Sequence, residues 1–283
     1  MDKGFAPAKV NLALHVTGRA GNGYHLLDSL VVFAGVGDTV SATAARGITF
    51  AVAGAFAPGV PVDDDNLVMQ AALLLASRRG VRIGAQIRLT KILPHAAGIG
   101  GASSDAAAAI RRLAELWRVA PLAADDADVL ALGSDVPVCM RAPVPQRLGG
   151  TGDDVTPWGD LPPMALVLVN PRVELQTAAT FAALERRENS PLEPPPAPGF
   201  DAFTRWLARQ RNDLEPPARA LVPQVGAVLA RLRAQPGVVL ARMSGSGATC
   251  FGLCRDLATA KQVAKAVQIS EQGWWVAPAP VLG

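Results

Sequence analysis

One stretch of small residues constrains this chain more than any other part of its sequence. Residues 93–107 read LPHAAGIGGASSDAA, so a proline and three glycines come before two serines and a run of alanines that favours a helix. Glycine allows positive φ and close approach of a ligand to the backbone, and the first turn of a helix presents N–H groups without intrahelical partners. Because that turn also carries the positive end of the helix dipole, the order predicts a phosphate-binding loop.

Two familiar phosphate motifs do not match this loop. The Walker motif requires lysine followed by serine or threonine after the last glycine, whereas Ala102 and Ser103 stand there. The dinucleotide motif requires a different glycine spacing and an acidic residue near the end of the next strand. Glycine-rich turns are also common where nothing binds, so the loop on its own is also compatible with an ordinary turn that has no ligand.

The composition is that of a globular chain and excludes several partners. The chain has 283 residues, of which 50% are hydrophobic and 18% charged, and a formal net charge of +3. This length is enough for two modest domains or one large one. Arginine and lysine are scattered, never more than two in a row, which does not resemble a nucleic-acid footprint. Scattered positive charge suits an anionic small substrate instead.

The cysteines and the apolar segments bear on the compartment. Cys139, Cys250 and Cys254 form no zinc pattern, and their odd number argues against a disulfide framework. Cys250 and Cys254 flank an apolar run, where we expect them to be core residues of a strand. No signal peptide or membrane-length apolar run is visible. We therefore expect a cytoplasmic protein without a membrane partner.

Periodicity predicts mixed α and β structure with a hinge near residues 160–163. Apolar–polar alternation or buried apolar runs predict strands, and helical spacing of apolar residues predicts helices. The predicted strands include residues 10–16, 81–91, 164–170, 238–242, 250–254 and 274–278. The predicted helices are residues 67–79, 103–117, 121–132, 177–187, 203–210, 221–235 and 257–267. Residues 146–153 are predicted to form a glycine-rich turn. Residues 190–199, with five prolines, are predicted to form an exposed extended loop.

Several polar residues have both a structural and a chemical interpretation. Lys9, at the start of a strand, is either an exposed edge charge or part of a site. Tyr24 and His25 form either a surface turn or a pair that binds a flat ring. Asp135 is either a helix cap or a catalytic carboxylate.

Seven short motifs, taken together in this order, resemble one kinase superfamily. They are Pro-Ala-Lys-Val-Asn-Leu at 7–12, Gly-Tyr-His at 23–25, Gly-Asp-Thr at 37–39, Asp-Asn-Leu at 65–67, the phosphate loop, Gly-Ser-Asp-Val-Pro at 133–137 and Ser-Gly-Ser-Gly at 244–247. The superfamily is that of galactokinase, homoserine kinase, mevalonate kinase and phosphomevalonate kinase, the GHMP kinases. The chain is most similar to its branch that phosphorylates 4-diphosphocytidyl-2-C-methyl-D-erythritol in the non-mevalonate (MEP) isoprenoid pathway of bacteria.

This resemblance implies an α+β fold of two domains. The N-terminal domain, residues 1–158, would be ribosomal S5 domain 2-like and would bind ATP and carry the catalytic residues. The C-terminal domain, residues 159–283, would be a ferredoxin-like α/β sandwich that closes the substrate cleft. The implied activity is transfer of phosphate from ATP, with Mg²⁺, to the 2-hydroxyl of the cytidyl substrate.

The resemblance also implies the site residues. The residues implied for ATP are Pro94, Ala97, Gly98, Ile99, Gly100, Gly101, Ser103 and Ser104 at the phosphates, with Asn66 and Lys91 on the adenine side. Those implied for the substrate are Asn11, Tyr24, His25, Asp135, Thr177, Phe181, Gly245 and Ser246, with Gly247 beside them. Asp135 would be the general base, with Lys9 next to it. Tyr24 and Phe181 would sandwich the cytosine ring, and His25 would bind its edge. No metal ligand is assigned beyond Ser104 as a candidate.

One departure and two alternative functions stay open. Ala102 stands where the family commonly has glycine, which requires a negative φ at that position. The chain could be another small-molecule GHMP kinase, of mevalonate or homoserine type, or a non-catalytic nucleotide-binding protein on the same fold. The pair Tyr24–His25 favours a base-containing substrate, and the presence of both Lys9 and Asp135 favours catalysis. Nucleic acid is not an expected partner, and the oligomeric state is not readable.

Overall fold

The computed structural model describes residues 1–21 and 23–283, and the chain divides into two compact units. The first unit comprises Met1–Ala8, Gly37–His95 and Gly100–Ala142, and the second comprises the remaining segments. Strands β1 (Phe5–Arg19) and β2 (His25–Ala45) pass from one unit into the other. The units are therefore interleaved in sequence. The predicted boundary after residue 158 follows a different division and stays a prediction.

In the first unit, a small sheet supports helices. Its further elements are β3 (Thr49–Ala53), α1 (Leu67–Arg79), β4 (Gly84–Thr90), α2 (Gly101–Trp117), α3 (Ala127–Leu132) and α4 (Val136–Met140). Strand β4 runs parallel to β3 and antiparallel to the second half of β2. Ala85, Ile87 and Leu89 are buried while Gln86 and Arg88 are exposed, as the alternation predicts. Helices α1 and α2 pack together and close this core.

In the second unit, an antiparallel sheet supports the C-terminal helices. Its elements are β5 (Gln146–Gly149), β6 (Asp154–Pro157), β7 (Ala165–Asn170), α5 (Thr177–Ala182), α6 (Phe200–Arg209), α7 (Glu215–Leu221), α8 (Pro223–Arg233), β8 (Leu240–Met243), β9 (Cys250–Cys254), α9 (Leu257–Ser270) and β10 (Trp275–Leu282). The first half of β2 pairs with β10, followed in order by β7, β9 and β8. Every residue of β7 is buried, because α9 packs on this sheet.

Several predicted elements have different bounds in the structure. The helix predicted for 121–132 begins only at Ala127, because the Asp126 carboxylate caps it by accepting the Asp128 N–H. The helix predicted for 177–187 ends at Ala182. Residues 146–149 form β5 rather than a turn, since they pair with β2. Helix α7 was not predicted, because two of its seven residues are prolines. Both prolines lie in the first turn, where proline is tolerated.

The proline-rich segment 190–199 is more firmly anchored than its composition predicts. Leu192 is buried, and its N–H donates to Asp28 Oδ2 at 2.9 Å. The same carboxylate binds Arg147 at 2.7 and 2.6 Å. The ring of His15 accepts the Arg211 N–H at Nε2 and lies 3.0 Å from the Ser190 carbonyl through Nδ1. The segment forms no helix or strand up to Gly199 and is mostly exposed, as predicted, but hydrogen bonds tie it to other residues of the second unit.

Two further expectations concern the chain as a whole. Cys250 and Cys254 are buried in β9, and all three cysteines are free thiols. Within the described part of the chain, no helix has the length and apolar character that crossing a membrane requires.

Candidate active site

The phosphate loop joins β4 to α2 through backbone conformations that glycine favours. Gly98 has φ +70° and Gly100 has φ +61°. Gly100 occupies the N-cap position of α2 without a side-chain cap, and the first i→i−4 bond of the helix runs from Ser104 N–H to Gly100 O at 2.9 Å. The N–H groups of residues 101–103 therefore lie ahead of the helical hydrogen-bond ladder, as an anion site requires.

Ala102 does not strain the loop, which confirms the expectation of a negative φ. It lies inside α2 and is not among the residues with positive φ. The strained non-glycine position of the loop is Ala96, with φ +44°. Alanine at 102 is therefore compatible with the same loop geometry.

The second glycine loop contacts the first directly. The Ser244 hydroxyl donates to Gly98 O at 2.9 Å, and the Thr249 N–H donates to Ala97 O at 3.2 Å. A Cβ added to Gly98 would lie 2.5 Å from Ser244 O, and one added to Gly245 would lie 2.7 Å from Gly98 O. Glycine at both positions therefore permits this close backbone approach.

The start of the chain meets the same segment. The Lys9 N–H donates to Ile99 O at 2.9 Å. Lys9 is only 6% exposed, so the interpretation as an exposed edge charge is wrong. Two segments that are distant in sequence, around Lys9 and around Ser244–Thr249, thus meet the phosphate loop at residues 97–99.

Asn11 is oriented by hydrogen bonds inside the second unit. Its backbone N–H donates to Ser244 Oγ at 3.1 Å, and its Nδ2 donates to Ser29 Oγ at 2.8 Å. Its Oδ1 is buried and has no hydrogen-bond partner among the described residues. A buried acceptor of this kind suits a ligand that donates a hydrogen bond.

Asp135 stands at the N-cap position of α4, but its carboxylate makes no capping hydrogen bond. The side chain is half-buried. The alternative interpretation as a helix cap is therefore not supported. Asp135 belongs to the first unit and Lys9 to the second, so their predicted pairing stays a prediction.

The aromatic residues form a pair that differs from the predicted one. His25 stacks on Phe181 with ring centroids 4.8 Å apart and an interplanar angle of 27°. Tyr24 is 67% exposed. Phe181 is thus placed beside the predicted base-binding residues, but the ring that packs on it is His25. The sandwich of Tyr24 and Phe181 around a cytosine stays a prediction.

The His25 ring has a lowered pKa and a nitrogen without a hydrogen-bond partner among the described residues. Burial lowers the pKa of the imidazole, and the positive charges of Arg187 and Arg19 lower it further. Its Nε2 is buried without a hydrogen-bond partner in the described part of the chain. A neutral imidazole nitrogen can donate or accept according to its tautomer, so it can bind the polar edge of a base.

Helix α5 places two predicted substrate residues one turn apart. Thr177 begins the helix, and its Oγ1 lies 2.8 Å from Ser246 Oγ. Phe181 follows four residues later, on the same face. The structure therefore connects the Ser-Gly-Ser-Gly loop with the residue that stacks on His25.

The two residues predicted on the adenine side have local partners. Asn66 caps α1 by accepting the Val68 N–H at 2.8 Å, and its Nδ2 donates to Pro61 O at 2.8 Å. Lys91 is ion-paired with Asp105 at 2.7 Å and with Asp38. Neither contact points to a nucleotide.

Burial and charge act against each other in this ion cluster. Burial raises the pKa of Asp105 to about 7, although the Lys91 ammonium opposes this and Asp38 adds to it. Burial disfavours the charge on Lys91, but the carboxylates of Asp105 and Asp38 together raise its pKa. Asp38 and Asp105 were not predicted as site residues. The Gly-Asp-Thr motif at 37–39 was the sequence signal that could have identified Asp38 as a site residue.

The remaining loop residues differ in exposure. Pro94, Ala97 and Ile99 are buried, whereas Gly101 and Ser103 are half-buried. Ser104 is fully buried, and its hydroxyl donates to Pro7 O at 2.8 Å. As placed, that hydroxyl serves the packing of α2, so Ser104 as a phosphate or metal contact stays a prediction.

The residues fit ATP better than they fit a protein-held metal. Gly100 starts α2 without a side-chain cap, so the N–H groups of the first turn are left for an anion such as a phosphate. Among the described residues, no group of three or more histidine, cysteine or acidic side chains could hold a metal ion. Mg²⁺ takes few protein ligands and keeps several waters, so such a group is not required for it.

Comparisons with known proteins identify the family. The model of the GHMP kinases N terminal domain matches residues 66–157, and that of the GHMP kinases C terminal region matches residues 198–271. The chain is 51% identical to a 4-diphosphocytidyl-2-C-methyl-D-erythritol kinase of Cereibacter sphaeroides, covering 100% of both chains. It is 52% identical to one of Jannaschia sp., covering 99% of this chain and 97% of that one.

Solved structures agree with this assignment. A crystal structure of 4-(cytidine 5'-diphospho)-2C-methyl-D-erythritol kinase matches with a TM-score of 0.79 and 30% identity, covering 99% of this chain and 98% of the other. The mevalonate kinase of L. major matches with a TM-score of 0.71 at 14% identity, over 100% and 96% of the two chains, and shows the shared fold alone. The predicted fold class is thereby confirmed. The chain belongs to the GHMP kinases, in the 4-diphosphocytidyl-2-C-methyl-D-erythritol kinase family.

Proposed function

We propose that this chain transfers the terminal phosphoryl group of ATP to the 2-hydroxyl of 4-diphosphocytidyl-2-C-methyl-D-erythritol, in the bacterial cytoplasm. The observation that carries the proposal is the convergence of two distant segments on residues 97–99 of the phosphate loop, through the Lys9 N–H from one and the Ser244 hydroxyl and Thr249 N–H from the other. Such a convergence gives the glycine loop a fixed shape. The full-length relatives support the substrate, because they carry this name at about half identity.

The phosphate loop holds the donor in this proposal. The backbone N–H groups of residues 98–103 bind the phosphate oxygens, and the positive end of α2 favours their charge. Mg²⁺ supplies charge neutralisation on the phosphates when bound. Phosphoryl transfer depends mostly on positioning and charge stabilisation, so a rigid cradle is an appropriate scaffold.

Asp135 and Lys9 act on the acceptor. The Asp135 carboxylate takes the proton of the substrate hydroxyl as the new O–P bond forms and the bond between the terminal phosphorus and the departing ADP breaks. The Lys9 ammonium stabilises the negative charge that develops during transfer. The half-buried position of Asp135 at the start of α4 is compatible with this role.

The second unit selects the substrate. His25 and Phe181 provide a flat, partly apolar surface for the cytosine, and the open Nε2 of His25 binds its polar edge. Tyr24 covers the other face of the ring. The open Oδ1 of Asn11 and the paired hydroxyls of Thr177 and Ser246 bind the sugar-alcohol part. Kinases for aliphatic alcohols have no use for a base-binding surface.

A substrate panel tests the proposal. The purified chain is expected to consume ATP with the cytidyl substrate and not with mevalonate or homoserine. Turnover with either of the latter, and none with the cytidyl substrate, would overturn the substrate assignment. ATP binding without turnover of any of them would favour the non-catalytic alternative.

A matched pair of aspartates tests the base. Asp135→Asn is expected to lower kcat by at least about a hundredfold, in line with the contribution of a general base, while leaving the Kd for nucleotide unchanged. Asp125→Asn, an exposed aspartate ten residues earlier, is expected to behave as wild type. Equal kcat in both variants would remove Asp135 from the mechanism.

A further inference from the structure

Three buried charged side chains form a cluster beside the phosphate loop. Asp38 in β2, Lys91 after β4 and Asp105 in α2 are 0%, 4% and 2% exposed. The Lys91 ammonium binds Asp105 Oδ2 at 2.7 Å and also Asp38 Oδ2. Buried charges persist when they are paired and hydrogen-bonded, so the three groups depend on one another.

The cluster reaches both ends of the loop. Asp38 Oδ1 accepts the N–H groups of Ile92 at 2.6 Å and Leu93 at 2.8 Å, where the loop leaves β4. At the other end, Asp105 lies in the second turn of α2. Gly101, the first residue of α2, lies close to the Lys91 ammonium, because a Cβ added to Gly101 would be 3.1 Å from Lys91 Nζ. The same three side chains therefore fix where the loop begins and where its helix starts.

This geometry gives the Lys91 side chain a different role from the predicted one on the adenine side of the ATP site. An ammonium has three N–H donors, and two of those of Lys91 are taken by carboxylates. The side chain is almost completely buried, so the group is directed into the protein and not towards a nucleotide.

We propose that Asp38, Lys91 and Asp105 are positioning residues that set the shape of the phosphate loop, so that Lys91 acts on ATP through the loop and not by contact with adenine. The inference rests on the proposed use of the loop for ATP phosphates. It predicts that breaking the cluster weakens binding of the triphosphate regardless of the base attached to it.

Two variants and two nucleotides test this. Asp105→Asn keeps the shape of the side chain and removes its charge, and Lys91→Met removes the ammonium. Isothermal titration calorimetry with Mg²⁺ measures the Kd of a non-hydrolysable ATP analogue and of the matching GTP analogue. Both Kd values are expected to rise by the same factor, about tenfold or more, because loop N–H groups that move out of reach lose charge-assisted hydrogen bonds to the phosphates. If Lys91→Met does not fold, Asp105→Asn alone decides.

Leu113→Ala is the control for general destabilisation. Leu113 is fully buried in the same helix, and its truncation opens a cavity away from the cluster. We expect this variant to unfold at lower urea concentration and to bind both analogues with the wild-type Kd.

Three results would overturn the inference. They are wild-type Kd values in Asp105→Asn, a loss confined to the ATP analogue in Lys91→Met, and an equal loss in Leu113→Ala. A wild-type chain that binds both analogues but phosphorylates no cytidyl substrate would contradict the proposed function and leave this inference standing. A wild-type chain that binds neither analogue would contradict both.

Discussion

Gly98→Ala perturbs the point where the two glycine loops meet. Gly98 has φ +70°, which costs a residue with a Cβ about 1–2 kcal/mol. The new Cβ would also lie 2.5, 2.7 and 2.8 Å from backbone atoms of Ser244 and Gly247, well inside the roughly 3.5 Å of ordinary contact. Because these neighbours are backbone atoms, a segment has to move, and overpacking of this kind costs about 1–3 kcal/mol more.

Gly80→Ala separates the two contributions. Gly80 has φ +62°, close to that of Gly98, but nothing lies within 4 Å of its added Cβ. In both variants, alanine lowers the conformational entropy of the unfolded chain relative to glycine, which offsets about 0.4–1 kcal/mol of the destabilisation. We therefore expect Gly80→Ala to lose about 1 kcal/mol of unfolding free energy and Gly98→Ala about 2–4 kcal/mol.

Urea unfolding at constant pH measures both losses, and kcat/KM for ATP is measured in the same preparations. Gly98→Ala should also lower kcat/KM for ATP, since the displaced segment includes the phosphate loop, whereas Gly80→Ala should not. Equal unfolding free energies for the two variants would refute the reasoning that the backbone contact at Gly98 is tight.

Three further predictions concern the second unit. Phe181→Ala should raise KM for the cytidyl substrate about tenfold, since base stacking on an aromatic ring contributes about 1–3 kcal/mol, and KM for ATP should not change; steady-state kinetics with each substrate varied tests this. Burial and the Arg211 charge lower the pKa of His15 from 6.5. The neutral ring therefore contributes its full share of the unfolding free energy at a pH well above 6.5, and this contribution declines as the pH falls towards the folded-state pKa. His15→Ala should make this decline shallower in urea unfolding at pH 8, 7 and 6, and an unchanged slope would contradict it. Ser244→Ala should cost about 1–3 kcal/mol, because the buried Asn11 N–H and Gly98 O lose their partner, while the exposed Ser270→Ala should cost little.

Local patterns predicted the elements whose signals are contained within a few residues. Helix α1 and strand β9 have the predicted bounds, because apolar spacing, a capping Asn66 and a terminal Gly80 all lie inside or beside them. The phosphate loop was readable for the same reason. The negative φ at Ala102 followed from its place at the start of a helix.

The partners of the charged residues could not be predicted from local sequence patterns. Lys91 is bound by Asp38, which lies 53 positions earlier, and nothing near Lys91 in the sequence indicates that contact. Strand β5 is specified by pairing with Ser29–Val31 of β2, and its own four residues read as a turn. The stacking of His25 on Phe181 likewise depends on the path of the chain over more than 150 residues. Such contacts depend on tertiary packing, which periodicity does not contain.

The position of the transferred phosphate tests the central claim most directly. Carbon 2 of the proposed substrate carries a methyl group and a hydroxyl but no hydrogen, so a phosphate on its oxygen has no proton three bonds away. We predict that the ³¹P NMR spectrum of the product made from ATP and the cytidyl substrate contains one new phosphomonoester signal without proton splitting. A signal split by protons of carbon 1 or carbon 3, or no new phosphomonoester at all, would contradict the account.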